Sequence, residues 1–212
     1  MKSDHRIVAY FDFDGTLTTK DTLIPFLIFM VGWCKFFANL PHLLFIVLRY
    51  YLRLITNEQA KEETLTLLVF GMKEYLIEHR AKSFALTKLN KYIKPEVYSK
   101  IEWHREHGHK IVLVSANLAV YLRYWACFHK LDGVIATEVA VHRGRLTGKL
   151  LTSNCYGAEK VRRIHQYLND EGLEFCYSYG YGNSAGDYEL LEYCDEPFWV
   201  SGNCVEYWKG LH

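Results

Sequence analysis

The chain has no Cys-x-x-Cys pair, and its six cysteines, Cys34, Cys127, Cys155, Cys176, Cys194 and Cys204, follow no framework spacing. That absence removes a zinc ribbon and a disulfide scaffold, and it fits reduced thiols in a cytoplasmic protein. A basic excess is missing as well. With a net charge of +1 and no basic stripe interleaved with aromatics, no nucleic acid is expected as partner. No internal repeat or low-complexity tract is visible. The opening "MKSDHRIVAYFDFD" carries acids too early, and too short an apolar core, for a signal peptide. Nor is there a long unbroken apolar run. The greasiest stretch, residues 23–55, is split by Lys35 and interrupted by Asn39, Pro41 and His42, whereas a membrane span needs roughly 20 consecutive apolar residues.

What remains is a folded globular composition, 50% apolar and 23% charged over 212 residues, with room for one core plus a smaller lobe. A β-branched and aromatic run over residues 7–11 predicts a buried strand. Residues 22–94 read as helices only: two short apolar pieces either side of "ANLPH", one helix from Asn57 through Val69, capped by Thr56 or Asn57, and one from Met72 to Tyr92. From Pro95 the pattern alternates. A helix ending at Gly108 leads to the strand "KIVLVSA", a helix from Leu118, a strand "GVIATE" and a hairpin "VAVHRGRLTGKLL". The helix "GAEKVRRIHQYLNDEG", the strand "FCYSYGYG", the helix "DYELLEYC" and a last strand "PFWVSG" follow. Such alternation predicts an α/β, Rossmann-like, doubly wound parallel sheet. The helical insertion after the first strand, residues 21–94, is expected to cap a core made of residues 1–20 and 95–212, over the strand ends where open α/β sheets bind ligands.

The chemistry begins at "FDFDGTLT". Residues i and i+2 of a strand point the same way, so Asp12 and Asp14 face one site. Two carboxylates that close stay ionised only with a cation beside them, and magnesium, which prefers oxygen ligands, suits the place. A carboxylate so held is a nucleophile toward phosphorus. Ser115 ends the second strand, where a hydroxyl and local amides can hold a phosphoryl oxygen. Lys160 lies in the first turn of a helix, positioned to neutralise phosphoryl charge. "YGYGNSAGDYELL" follows a strand with a flexible loop whose Asn183, Ser184 and Asp187 can bring oxygens to a metal. Read singly, Ser115 is a helix cap, Lys160 a solvated lysine, and Asp14 with Gly15 a plain turn beside an accidental second aspartate.

Together, "DFDGT", the serine ending strand two, the lysine before the fourth strand and the "GNSAGD" loop after it resemble the haloacid dehalogenase superfamily of phosphatases. Within it they resemble subfamily IB, the phosphoserine phosphatase-like branch that also contains a phosphatidylglycerophosphate phosphatase. The resemblance implies that Asp12 is the nucleophile and Asp14 the acid and base. It implies phosphate contacts from Gly15, Thr16, Ser115, Asn117 and Lys160, and a Mg2+ site of Asp12, Asp14, Asn183 and Asp187, in which Asp187 holds a metal-bound water or Lys160. The cap, by resemblance, is of the C1 type. One position departs from the pattern. Asn183 stands where phosphoserine phosphatases carry aspartate, which takes one negative charge from the site.

Substrate choice falls to the apolar residues 23–55. They pack the cap against the core on one reading; on the other they form a greasy lid, shallow in a bilayer with Lys35, Arg49 and Arg53 at the headgroups or open to a lipid tail. The expected substrate is a phosphorylated small molecule: a lipid phosphate, a phosphotyrosine or a phosphoserine-like ester. A phosphotransferase and a catalytically silent module binding membranes or proteins are the alternatives. The histidines of "WHREHGH", His104, His107 and His109, read as a helix end rather than a metal cluster. Lys82, Lys88, Lys91 and Lys94 read as a solvated helix face. Arg123 and Arg143 are candidate contacts for substrate anions, unplaced by sequence.

Overall fold

The computed structural model describes residues 7–210; the signal-peptide reading rests partly on residues 1–6, which lie outside the described residues. Strands β1 (Ile7–Phe11), β2 (Lys110–Leu118), β3 (Gly133–Thr137), β6 (Tyr177–Gly182), β7 (Glu196–Ser201) and β8 (Cys204–Tyr207) form one sheet in the order β3-β2-β1-β6-β7-β8. The first five are parallel, and β8 runs antiparallel on β7. This corrects the purely parallel expectation: "CVEY" is too short and polar to register as a strand, although the Gly202-Asn203 step before it, with Gly202 at φ +57°, is a hairpin signal. A separate hairpin pairs β4 (Val139–His142) with β5 (Arg145–Leu150), as its sequence predicts.

Alternation along β1 sorts the core onto two faces. Ala9 and Phe11 join a large cluster with Ile101, Tyr121 and Trp125 from helices α6 (Pro95–Glu106) and α7 (Ala119–Phe128). Val8 and Tyr10 point the other way, onto Ile164 of α8 (Ala158–Glu171) and Leu190 of α9 (Tyr188–Tyr193). The sheet is therefore covered on both sides, which is why its central strands read as unbroken apolar runs. The chain leaves β1 toward β2 and β3 and returns on its other side as β6. The reversal opens a crevice at the carboxyl ends of β1 and β6.

Between β1 and α6 lie five α-helices: α1 (Leu23–Val31), α2 (Trp33–Ala38), α3 (Leu40–Tyr51), α4 (Asn57–Val69) and α5 (Glu74–Thr87). The apolar stretch is three helices rather than two. Gly32 at φ +79° separates the first pair, and Pro41 starts α3 instead of breaking it, because proline is tolerated in the first turn. Thr56 caps α4 in a reciprocal box with Gln59, a feature of about 1 kcal/mol. The longer helix expected over Met72–Tyr92 is α5 followed by a single tighter turn, Leu89–Tyr92. These helices do not stand off from the sheet domain: α5 packs on α7 and α4 along β5.

Candidate active site

Immediately after β1 the backbone makes one wide turn over Phe13–Leu17, closed by the Thr18 N–H on the Phe13 carbonyl at 3.0 Å. Gly15 sits in it at φ +80°. A Cβ there would meet the Asn183 side chain at 2.4 Å, so only glycine lets the first and last loops of the site approach this closely. Lys94, expected on a solvated face, is buried instead, and its ammonium donates to the Gly15 carbonyl. Burial lowers its pKa.

A cavity of about 480 Å³ opens over this turn, within the range of small-molecule sites. Asp12, Asp14, Gly15, Ser115, Asn117, Lys160, Asn183 and Asp187 all line it. Thr16 stands behind them, its hydroxyl 3.0 Å from both Asp12 Oδ2 and Asn183 Oδ1. Residues scattered over 176 positions of sequence thus meet at one place. Arg123 and Arg143 do not: Arg123 pairs with Glu138, and Arg143 occupies the β4–β5 turn at φ +49°.

The two carboxylates of β1 have different surroundings. Asp12 Oδ1 accepts from Lys160 Nζ at 2.7 Å, and the same ammonium reaches Asp187 Oδ1 at 2.5 Å. Burial, and then the Asp187 charge, raise the Asp12 carboxyl to about 6 despite Lys160. Burial pushes Asp187 up too, but Lys160 and the loop's donors overcome it and leave that group below the ordinary carboxylate value. The shared lysine is raised: the two carboxylates outweigh the burial that would lower it. Asp187 is otherwise spent within its own loop, with Oδ2 accepting from the Asn183 and Ser184 N–H groups and the Ser184 hydroxyl. Its direct partner is Lys160.

Asp14 has neutral partners only. Its Oδ1 accepts from the Thr22 N–H at 3.0 Å and the Thr22 hydroxyl at 2.7 Å, and its Oδ2 from the Asn117 amide. Burial, with the Asp21 charge adding to it, raises its pKa to about 7. Asn117, expected on phosphate, is thus turned onto Asp14, and its Oδ1 caps the Leu118 N–H at 2.8 Å. Asn117 stands near the end of β2, two residues before α7, where its amide also lies 3.3 Å from the Thr22 hydroxyl. Ser115 is buried and accepts from the Asn117 N–H at 3.1 Å. Thr22, itself 3.0 Å from the Tyr121 hydroxyl, was not singled out from the sequence; a threonine before an apolar helix signals only a cap.

Lys61 of α4 was missed as well. Its ammonium lines the cavity and reaches the Ala116 carbonyl at 2.5 Å and Asn154 Oδ1 at 2.6 Å, and burial lowers its pKa to about 8. An i to i+4 row of charged residues at the start of a helix gave no sign of it. The histidines of α6 hold each other: His104 Nδ1 lies 2.8 Å from His109 Nδ1, and His104 Nε2 lies 2.9 Å from the Tyr181 hydroxyl. Among the described residues no three His, Cys, Asp or Glu side chains are grouped to hold a metal. The oxygens that do converge are those of Asp12 and Asn183, two acceptors competing for one Thr16 hydroxyl proton. Such a pair, beside two carboxylates of raised pKa, is short of positive charge and fits a hard cation.

Residues 9–192 match the sequence profile of haloacid dehalogenase-like hydrolases. The chain belongs to that family. Among curated relatives, protein CicA of Caulobacter vibrioides is 29% identical over 197 residues, which cover 90% of this chain and 84% of that one. The fold is similar to a Bordetella pertussis protein of unknown function, with a TM-score of 0.77 and 25% identity, over 88% of this chain and 86% of the other. It is also similar to a phospho-aspartyl intermediate analogue of phosphoserine phosphatase, with a TM-score of 0.60 and 17% identity, over 88% and 82% of the two chains. In this hydrolase the family's sheet and the convergent strand-end residues coincide.

Proposed function

We propose that this hydrolase is a magnesium-dependent phosphomonoesterase that works through an aspartyl phosphate on Asp12. The observation that carries the reading is the contrast between its paired carboxylates. Asp12 rests on the Lys160 ammonium, whereas Asp14 has only neutral donors and a pKa near 7. One is supported as an anion and the other is free to carry a proton, the division of roles that a nucleophile and a general acid require. The likeness in fold to the phospho-aspartyl intermediate analogue of phosphoserine phosphatase supports it.

In this reading an Asp12 oxygen forms a bond to phosphorus while the ester P–O bond breaks, and the Asp14 carboxyl gives its proton to the departing alkoxide. Asp14, now a carboxylate, takes a proton from water. The water oxygen bonds to phosphorus, the Asp12–phosphorus bond breaks, and inorganic phosphate leaves. Ser115 and Lys160 hold phosphoryl oxygens, Gly15 and Thr16 shape the turn beneath them, and Asn117 with Thr22 orients Asp14. The Asp12 carboxylate, the Asp14 main-chain oxygen and Asn183 would hold Mg2+, which supplies charge neutralisation at the transferring group. Asp187 acts through Lys160. Helices within residues 21–94 serve as the cap, and Ile24, Ile46, Val47 and Tyr50 give it an apolar wall that suits a phosphomonoester with an apolar or aromatic group next to the phosphate.

The test is phosphate release from an aryl phosphate, with and without magnesium. Asp12→Asn is expected to lower turnover on the order of 10⁴-fold with an unchanged far-UV spectrum. Retained turnover in that variant would overturn the reading. Product analysis with an added alcohol distinguishes hydrolysis from phosphotransfer.

A further inference from the structure

Helix α3 carries apolar residues on both its inward and its outward side, with His42 and Arg49 as its charged or titratable members. Leu43 and Ile46 are buried, yet on the other side Leu44 and Phe45 are 60% and 59% exposed, with Leu48 beside them. In α2, Trp33 and Phe37 stack on each other in the open, 60% and 56% exposed, with ring centroids 5.4 Å apart. A helix on the surface of a water-soluble domain carries its polar residues outward. Here the outward row of α3 is the greasy one, and exposed patches of this kind mark an interaction site.

The charge around the patch says what covers it. From Thr22 to Asn57 there is no aspartate or glutamate, while Lys35, Arg49 and Arg53 are all cationic; Arg49 is paired with Glu63 of α4 at 2.8 Å, so the cations left to face a partner are Lys35 and Arg53. A second copy of the chain would bring the same cations and no acid from this segment to pair with them. A protein partner needs about one hydrogen bond per 100–200 Å² of contact, and the outward residues Trp33, Phe37, Leu44, Phe45 and Leu48 offer almost no donors or acceptors. A lipid surface requires none, and it favours aromatic residues at its boundary with basic residues nearby. At 12 residues, α3 is about 18 Å long, and among the described residues no helix is long and apolar enough to cross a membrane. The helix can lie on a bilayer but not span it.

We infer that the outward face of α2 and α3 docks on a lipid bilayer with anionic headgroups, and that the catalytic cavity takes its phosphomonoester from the plane of that bilayer. Val47 and Tyr50 connect the two: each is exposed beside the patch and each lines the cavity that holds Asp12 and Asp14. An amphiphile can therefore keep its phosphate on the carboxylates while its apolar part runs along α3 toward the membrane. The substrate half of this inference rests on the phosphomonoesterase reading; the docking half does not.

The experiment uses the full chain with vesicles of phosphatidylcholine alone and of phosphatidylcholine mixed with phosphatidylglycerol, and measures sedimentation together with aryl phosphate turnover in free solution. The wild type is expected to pellet with the mixed vesicles at least tenfold more than without lipid. The combined variant Leu44→Ser, Phe45→Ser, Leu48→Ser, checked for an unchanged melting temperature, is expected to lose at least tenfold of that binding. A wild type that stays in the supernatant with both vesicles overturns docking, and so does a triple variant that pellets equally well. A lipid-independent dimer that the triple variant dissolves assigns the face to a second copy and overturns it too. Turnover without sedimentation leaves the phosphomonoesterase reading standing while docking fails. Sedimentation without turnover does the reverse.

Discussion

The strand-end site and the α2–α3 surface break the same rule in opposite directions. At the site, charged groups are buried: Asp12, Lys160 and Asp187 are all inside. On α2 and α3, large apolar groups are outside. Folding alone favours neither, since buried charge and a contiguous exposed apolar patch are the two informative exceptions to ordinary burial. The buried charges differ from the exposed apolar groups in one further respect. Each buried carboxylate has polar partners within the chain, whereas the outward apolar row keeps most of its surface in water, touched by the Trp33–Phe37 stack and by Arg49 over the Phe45 ring.

The sharpest test of the site's half is Lys160→Met. Removing the ammonium leaves Asp12 and Asp187 facing each other without a cation, and losing one member of a buried pair costs about 3–5 kcal/mol. Urea unfolding at pH 8 should show that loss, and it should shrink as pH falls and the carboxylates protonate. Adding Asp187→Asn to the variant should recover part of the stability. If Lys160→Met were as stable as the wild type, charge burial at the site would not hold the fold together, and the contrast with the apolar surface would lose its energetic half.

A buried titratable group away from both regions gives a baseline. Burial, with His109, His107 and Lys100 nearby, holds His104 down at about 3, against an ordinary value near 6.5. The unfolded chain then takes up the proton first as pH falls, so this residue removes stability on going from about pH 6.5 toward 3 and has no such effect above it. At pH 5 the loss is about 2 kcal/mol, at about 1.4 kcal/mol per pH unit. His104→Gln should flatten the acid limb of unfolding free energy against pH by about one proton. An unchanged slope would place the acid sensitivity elsewhere, at the carboxylates of the site.

How much of this was legible follows the same division. Most residues that meet at the cavity stand out in the sequence, because each part lies where a strand hands over to a loop or helix and carries an unusual local pattern: "FDFDGT", "LVSAN", "GAEK", "GNSAGD". What failed to show was anything decided by tertiary approach. Lys94 resembles any surface lysine until the Gly15 carbonyl meets it, and Lys61 until Asn154 does. Asn117 has the right position for phosphate, yet its amide is taken by Asp14. In the helices the apolar count was plain, but which side of α3 faced inward was not, since periodicity orients a helix poorly when apolar residues stand on both its sides. The antiparallel β8 was lost because four residues carry too little pattern.

A milder change tests whether the site is short of charge, as its raised carboxyl pKa values suggest. Asn183→Asp adds a carboxylate where Asn183 Oδ1 now shares the Thr16 proton with Asp12. Cation affinity at oxygen sites rises with ligand charge, so half-saturating magnesium in the aryl phosphate assay should fall roughly tenfold. Isothermal titration with magnesium alone reads the same change without turnover. A rise would mean that the extra anion raises neighbouring proton affinities more than it attracts the metal, with Asn183 tuning the carboxylates rather than serving as a ligand.

The smallest expected effect lies on the surface, and its smallness is its content. Phe84 is buried against Phe26, Phe29 and Tyr121, and Phe84→Ala should cost about 3–5 kcal/mol. Phe45→Ser on the outward side of α3 removes a ring of the same size and should leave the unfolding free energy within about 0.5 kcal/mol. Matched melts of the two variants compare one kind of side chain on the two sides of the fold. A core-like loss for Phe45→Ser would mean that the outward row already has partners within the chain, and that the patch is covered by the protein itself. An unchanged melt shows that the fold does not need that ring, which leaves the outward face of α3 free for contact with something outside the chain.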